Sequence, residues 1–284
     1  MICHLCSSKK FQIIHEGVRD NQELNVIKCK ICDLVTLDKI EHINEAFYQN
    51  SGMHKNDIKI NDWQKETSSD DKRRYEALFD KIKNKDALDF GSGNGGFLKL
   101  IKKVSNTSYG IEIEKKFQPY FKNYNLNVFE SIDKLIVKDN LKFNIITAFH
   151  VFEHLKNPID ELIKLKSLLK DDGEIIIEVP NSDDALISFY KSKAFKKFTY
   201  WSQHLYLFNE KNLKTLAKMA NMKVNWVEQI QRYPLSNHLY WLSEEKPGGH
   251  NIWSFLDNKM NLDYVSILRK GKMCDTLLIS VSKR

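Results

Sequence analysis

The sequence lacks a long apolar run, a repeated segment and a block of like charge, and each absence excludes a class. Apolar runs such as Ile175 to Ile177 fall far short of the roughly 20 residues that a membrane-spanning helix needs. The opening Met1-Ile2-Cys3-His4 shows no basic stretch leading into an apolar one, so no leader is expected and a cytoplasmic location is. Without repeats or low-complexity tracts, a solenoid or a disordered tail is not expected. The 44 basic and 37 acidic residues give a net charge of +7, but the two signs are interspersed. That pattern reads as a solvated surface with a mild preference for anionic partners, too weak to indicate nucleic acid.

A hydrophobic fraction of 42% over 284 residues suffices for a packed core, with room for one large domain and a small appendage. Of five cysteines, four form two pairs, Cys3-x-x-Cys6 and Cys29-x-x-Cys32, and only Cys274 stands apart. Two such knuckles direct four thiolates at one ion, which predicts a structural zinc site in a reducing compartment rather than a redox centre. A unit of residues 1–40 is too small to fold on its own core, so the metal is expected to act as its staple. His4 and His15 are expected to be bystanders. Residues 41–71 read as a polar connecting segment with a few aromatics (Phe47, Tyr48, Trp63), able to fold over the active site.

From there to residue 284 a single larger domain is expected. Tyr75, Leu78, Phe79 and Ile82 mark an amphipathic helix by their spacing. Strands are then expected at 87–90, 109–113, 127–130, 143–149 and 174–179, with helices after 97, at 115–124 and at 158–170. This alternation predicts an α/β fold with a mostly parallel, doubly wound sheet. A helix near Leu213, a strand at 223–228 and a last strand at 276–281 supply the closing elements, the last of them a sixth and seventh strand. Acceptor-binding insertions are expected at about 182–210 and 230–260.

The densest motif is Leu88-Asp89-Phe90-Gly91-Ser92-Gly93-Asn94-Gly95-Gly96-Phe97, a buried strand running through a glycine turn into a helix. Gly91, Gly93 and Gly96 alone also spell a dinucleotide-binding turn. Asp89, however, would repel a pyrophosphate while favouring a cationic amino group. Glu112 ends the second strand, where a carboxylate can hold ribose hydroxyls, and Ile113 beside it can cover adenine.

Together with Phe149-His150-Val151-Phe152-Glu153-His154-Leu155 and Gly173 to Asn181, this series resembles the class I S-adenosylmethionine-dependent methyltransferases that carry an "EHL" signature after strand four. The resemblance covers roughly residues 72–230. It implies a Rossmann-like seven-stranded sheet and S-adenosylmethionine as cofactor, framed by Asp89, Gly91, Ser92, Gly93 and Gly95, with Glu112 and Ile113 at the nucleoside and Phe149 and His150 on the pocket floor.

Trp201-Ser202-Gln203-His204-Leu205-Tyr206-Leu207-Phe208 is similar to the Tyr-x-Glu-His-x-x-x-Phe segment of sugar C-methyltransferases, which also carry an N-terminal cysteine zinc unit. Trp201 and Gln203 depart from that pattern, which favours O-methylation over carbon methylation. The resemblance implies His204 as general base for a small anionic acceptor, such as a nucleotide-linked sugar of surface-polysaccharide synthesis or a phosphorylated metabolite, with Asn181 and Gln203 expected beside it. The segment Arg232 to Trp241 together with Lys246-Pro247-Gly248-Gly249-His250 is dense in polar and aromatic groups, which predicts an acceptor lid with Arg232, His238 and His250 facing a phosphate or other anion. A zinc-ribbon nucleic-acid methyltransferase is the competing expectation. It is disfavoured because the Asn/Asp-Pro-Pro-aromatic turn of base amino-group methyltransferases is absent after strand four.

Overall fold

The computed structural model describes residues 1–43, 47, 59–139, 141–256 and 258–284. Part of the expected connecting segment, 44–46 and 48–58, lies outside the described residues. The N-terminal unit contributes β1 (Phe11–His15), β2 (Val26–Cys29) and β3 (Val35–Leu37). The larger unit opens with helix α1 (Ile60–Ile82), followed by β4 (Asp86–Phe90), α2 (Gly96–Ile101), β5 (Thr107–Ile111), α3 (Gln118–Asn123), β6 (Asn127–Phe129), α4 (Ile132–Asp139), β7 (Phe143–Phe149), α5 (Pro158–Ser167) and β8 (Leu169–Pro180). Short helices α6 (Ala185–Ser188) and α7 (Lys193–Thr199) lead to β9 (Tyr206–Leu207), α8 (Glu210–Met219) and β10 (Met222–Ile230). Helices α9 (Leu235–Glu244), α10 (Gly249–Ile252) and α11 (Asn258–Gly271) precede the last strand, β11 (Thr276–Lys283).

Seven strands form one sheet in the order β10-β11-β8-β7-β4-β5-β6. The five strands β4 to β8 run parallel, and β11 inserts antiparallel between β8 and β10. Central strands read as nearly unbroken apolar runs because helices cover both faces; Ile145, Ile146, Ile175, Ile176 and Ile177 are all buried. This is the doubly wound sheet expected from the alternation of elements.

Local chemistry explains where helices begin. Pro158 occupies the first turn of α5, where its fixed φ suits a helix and its missing N–H is not needed. A reciprocal cap between Asn209 and Asn212 opens α8. Helix α5 stops at Ser167, short of the expected 170, because Leu169 already belongs to the buried strand β8.

The N-terminal unit does not stand apart. Its sheet has the order β1-β2-β3-β9, so a segment from the far side of the larger unit completes it. Val35 pairs with Leu207 and Thr36 with Tyr206, and the Thr36 hydroxyl donates to the Leu205 carbonyl at 2.8 Å. Asn212, inside α8, donates to the Cys32 carbonyl at 2.7 Å. Leu34 and Leu37 share one core with Phe208, Leu213 and Ile279.

Candidate active site

In an open parallel sheet, ligands bind beyond the carboxyl ends of the strands where the strand order reverses. Here that point lies between β4, which pairs with β5 on one side, and β7 on the other. The glycine turn leaves β4 there. Gly91, Gly93 and Gly95 all have positive φ, a conformation that side chains oppose. A Cβ on Gly91 would also lie 2.3 Å from the Val151 side chain, so the turn packs directly on the loop after β7.

Two carboxylates border this turn, Asp89 buried and Glu112 half-buried. Asp89 accepts from the Thr147 hydroxyl at 2.8 Å, and burial pushes its pKa up to about 6. Glu112 accepts from the backbone N–H groups of Gly93 (2.7 Å) and Glu114 (2.9 Å), and burial pushes it up to about 7. Desolvated carboxylates flanking a glycine cradle suit a ligand that brings its own positive charge and hydroxyl donors. S-adenosylmethionine has both, so the donor set fits it. Ile113 follows Glu112 and is half-buried. Ser92 is buried, with its hydroxyl donating to the Asp89 carbonyl, so it shapes the turn rather than presenting a free donor.

Helix α1 covers the turn, an arrangement that the polar first half of its sequence did not announce. The Trp63 ring stands over Gly93, and Gln64 donates to the Asn94 carbonyl at 2.7 Å. Farther along, Arg74 lays its guanidinium 4.7 Å from the centre of the Phe149 ring. Arg73 and Arg74 both donate to Glu178, at 2.9 and 2.7 Å. Glu178 is fully buried in β8. Burial opposes its charge, but His150 and the two arginines hold its pKa well below the usual range. These ion-pair residues were missed in the sequence, where Glu178 is one letter in an apolar strand.

His150 sits at the end of β7, with Nδ1 3.2 Å from Glu153 Oε1 and Nε2 3.4 Å from Glu178 Oε1. Burial disfavours its charge, yet its hydrogen bonds to Glu153 and Glu178 raise its pKa. Phe149 packs edge-on against Phe97 at 4.9 Å, ring centre to ring centre, and Val151, next to His150, packs on Gly91. His154 is buried and donates through Nδ1 to the Gln203 carbonyl at 2.8 Å. His204 lies 5.1 Å from His154 and 5.5 Å from Trp201, ring centre to ring centre. It lines a small cavity against Val35 and Thr36 of the N-terminal sheet. Burial pushes its pKa down to about 3, so the ring is neutral and a poor proton acceptor at neutral pH. This environment argues against the expectation that His204 acts as a general base unaided.

The other expected acceptor residues do not converge. Asn181 is buried, donates to the Cys274 and Lys272 carbonyls and accepts from Asp183 N–H; its polar atoms are committed to holding the chain. Gln203 is buried and supplies its carbonyl to His154. Arg232 pairs with Asp70 of α1 and places Nη1 3.3 Å from His150 Nε2. His238 is buried against Gln231 and Tyr264, and desolvation pushes its pKa down to about 4. His250 is exposed beside Tyr233 and Asn237. Helix α9 thus turns His238 inward, and Arg232 is committed to Asp70. A cation not singled out in the sequence, Arg19, is exposed and stacks 4.7 Å from the Trp201 ring.

At the N-terminal unit, Cys3 and Cys32 sulfurs lie 3.4 Å apart and those of Cys6 and Cys29 3.5 Å apart. All four fall within 4.8 Å of one another. Sulfurs at about 2.3 Å from a tetrahedral zinc ion stand roughly 3.8 Å apart, so the four thiols fit such an ion. His4 packs edge-on against Tyr206 and His15 against Tyr200, both away from ligand duty.

Comparison with known proteins agrees with this geometry. Residues 63–225 match the model of a family described as a methyltransferase domain. The chain is 29% identical over 168 residues to the uncharacterized protein YmfD of Escherichia coli (strain K12), an alignment covering 52% of this chain and 70% of that protein. A chain in the complex containing the Haloferax volcanii Trm112 methyltransferase activator superposes with a TM-score of 0.52 at 13% identity, over 80% of this chain and 99% of that one. A SAM dependent methyltransferase from Archaeoglobus fulgidus gives 0.48 at 20% identity, over 75% and 92%. Among the described residues no helix is long and apolar enough to cross a membrane. The family match spans more than half of the chain and falls on the strands, glycine turn and carboxylates described above: the chain belongs to the methyltransferase-domain family and is an S-adenosylmethionine-dependent methyltransferase.

Proposed function

We propose that this enzyme transfers the methyl group to a hydroxyl oxygen of a small anionic acceptor, such as a nucleotide-linked sugar or a phosphorylated metabolite. Asp89, the turn Gly91 to Gly95, Glu112 and Ile113 hold the cofactor, with Phe149 and His150 beneath it. Methyl transfer from a sulfonium is an in-line displacement, so the residues' main task is to position the acceptor oxygen against the methyl carbon. The oxygen attacks, the carbon–sulfur electron pair returns to sulfur, and the hydroxyl proton passes to water. His204 stands on the acceptor side.

The observation that carries the choice of acceptor is the wall formed by His154, His204 and Trp201, with the exposed Arg19 guanidinium stacked on Trp201. A polar aromatic surface with one cation at its rim suits a sugar ring bearing a phosphate. In this reading the four N-terminal cysteines hold a structural zinc ion that keeps Arg19 and β3 against β9. Tailoring of nucleotide sugars for surface polysaccharide is the setting that the sequence resemblance implies.

The test incubates the protein with methyl-labelled S-adenosylmethionine and a panel of nucleotide-linked sugars and phosphorylated metabolites. Mass spectrometry should find the label on an oxygen, and Arg19→Ala should raise KM for that acceptor about tenfold or more with kcat little changed. Label appearing on RNA or DNA, with binding that falls steeply with salt, would refute the small-molecule reading.

A further inference from the structure

Besides the four cysteines, the described residues bring together one more set of metal-ligating side chains. Glu153, His154 and His204 each present a ligand atom within 4.8 Å of the other two. Glu153 and His154 lie in a single 3-10 turn, Phe152–His154, directly after β7, and His204 arrives from the loop before β9. Glu153 is 0% exposed. Its Oε1 faces His150, while its buried Oε2 has no hydrogen-bond partner, and neither does the buried Nδ1 of His204. An unsatisfied buried polar atom costs about 1–3 kcal/mol, and native proteins keep few of them. Two such atoms on two members of one cluster indicate a ligand that takes their lone pairs.

His154 adds an independent sign. Its Nδ1–H donates to the Gln203 carbonyl, which fixes the tautomer with a lone pair on Nε2. That nitrogen lies 4.0 Å from Glu153 Oε1. Histidines that ligate metals are held in this way by a carbonyl or carboxylate behind the ring.

We propose that Glu153, His154 and His204 bind a divalent first-row transition-metal ion, separate from any ion at the cysteines. Two imidazoles and one carboxylate, without thiolate, suit Mn²⁺, Fe²⁺, Co²⁺ or Zn²⁺ better than Mg²⁺ or Ca²⁺. Three protein ligands leave coordination positions open for oxygens of the acceptor. Resting on the hydroxyl-acceptor reading above, this ion activates the acceptor. It binds the acceptor hydroxyl and lowers its pKa; the proton passes to water, the oxygen bonds to the methyl carbon, and the sulfur keeps the electron pair of the broken bond. Acceptors with two adjacent oxygens, a vicinal diol or a hydroxyl beside a phosphate, fit best.

Titration of the zinc-loaded protein with Mn²⁺, followed by electron paramagnetic resonance of the free ion, tests this without reference to turnover. Wild type should bind one equivalent. Glu153→Gln and His204→Gln, made separately, should each weaken binding at least tenfold while S-adenosylmethionine affinity and zinc content stay unchanged. Should Glu153→Gln fail to fold, the half-buried His204→Gln carries the comparison. The proposal is overturned if wild type binds no Mn²⁺, Co²⁺ or second Zn²⁺, or if His204→Gln binds as wild type does. Methyl transfer to a sugar hydroxyl by a protein free of this ion would overturn the metal site and leave the acceptor reading standing. Metal bound at these residues with no hydroxyl acceptor methylated would do the reverse.

Discussion

Replacing Glu178 by Gln removes the fully buried centre of a largely buried charge cluster, and the consequences follow from its partners. Glu178 accepts from Arg73 at 2.9 and 3.0 Å and from Arg74 at 2.7 and 3.0 Å. Breaking a buried ion pair from one side typically costs about 3–5 kcal/mol, because the opposite charge stays behind without compensation. Here two guanidinium groups remain, but Asp70 lies 3.2 Å from Arg73 and Asp71 3.6 Å from Arg74. Those carboxylates offset part of the loss, which places the expected destabilisation near the lower limit, at about 3 kcal/mol. Urea unfolding monitored by circular dichroism should show it as a lower midpoint at unchanged slope. Because the cluster is buried, 0.5 M NaCl should leave the difference largely intact, since salt screens buried pairs weakly. As a control, Lys283→Ala removes a partner of the fully exposed Asp171 and should cost well under 1 kcal/mol. A loss below about 1 kcal/mol for Glu178→Gln, or one that vanishes in salt, would refute the idea that this cluster fastens α1 to the sheet.

Three further outcomes are expected. Asp184 caps α6 and is buried beside Asp275; burial pushes its pKa up to about 8. A folded-state pKa raised above the unfolded one gives stability that is full below about pH 4 and lost as pH rises through 8. Asp184→Asn, which keeps the capping oxygen, should therefore gain on wild type across that window by about 1 kcal/mol per pH unit, and parallel melting curves from pH 4 to 8 would contradict this. Cys29→Ser should abolish zinc binding and lower Tm by about 10 °C; elemental analysis showing unchanged zinc would sink the assignment. Gly91→Ala places a Cβ 2.3 Å from Val151 at φ +77 and should weaken S-adenosylmethionine binding at least tenfold by calorimetry, through backbone strain of about 1–3 kcal/mol; unchanged affinity would mean that the turn does not need glycine there.

The parallel sheet was legible because its strands are short apolar runs separated by helical spacing, and the glycine turn because only glycine accepts its backbone. The full length of α1 was not: Ile60 to Arg74 carries charges that look like solvated surface, yet Asp71 is buried and Arg73 and Arg74 turn inward to Glu178. Pairing between residues more than a hundred positions apart leaves no local periodicity to read. The same limit hid β9, a two-residue strand whose partner is Val35–Thr36, and it misdirected the reading of Arg232 and His238. Both looked like free cations in a polar loop, but their partners Asp70 and Tyr264 come from elements distant in sequence. Of the acceptor side, the segment 201–208 marked His204 as a candidate, whereas its protonation depends on burial that only packing sets.

The pairing of β3 with β9 spans 169 residues at the Thr36–Leu205 contact, and this has a bearing on the order of events during synthesis. At roughly 5–20 residues per second, the first three strands emerge from the ribosome about 10–30 s before the strand that completes their sheet. During that interval β3 presents an unpaired edge, which invites association with other nascent chains. The cysteine knuckles, by contrast, are complete after residue 32 and can close around an ion at once. Early metal capture would hold the small sheet in register while it waits, so zinc shortage during expression would show as aggregation of growing chains in addition to a less stable finished enzyme.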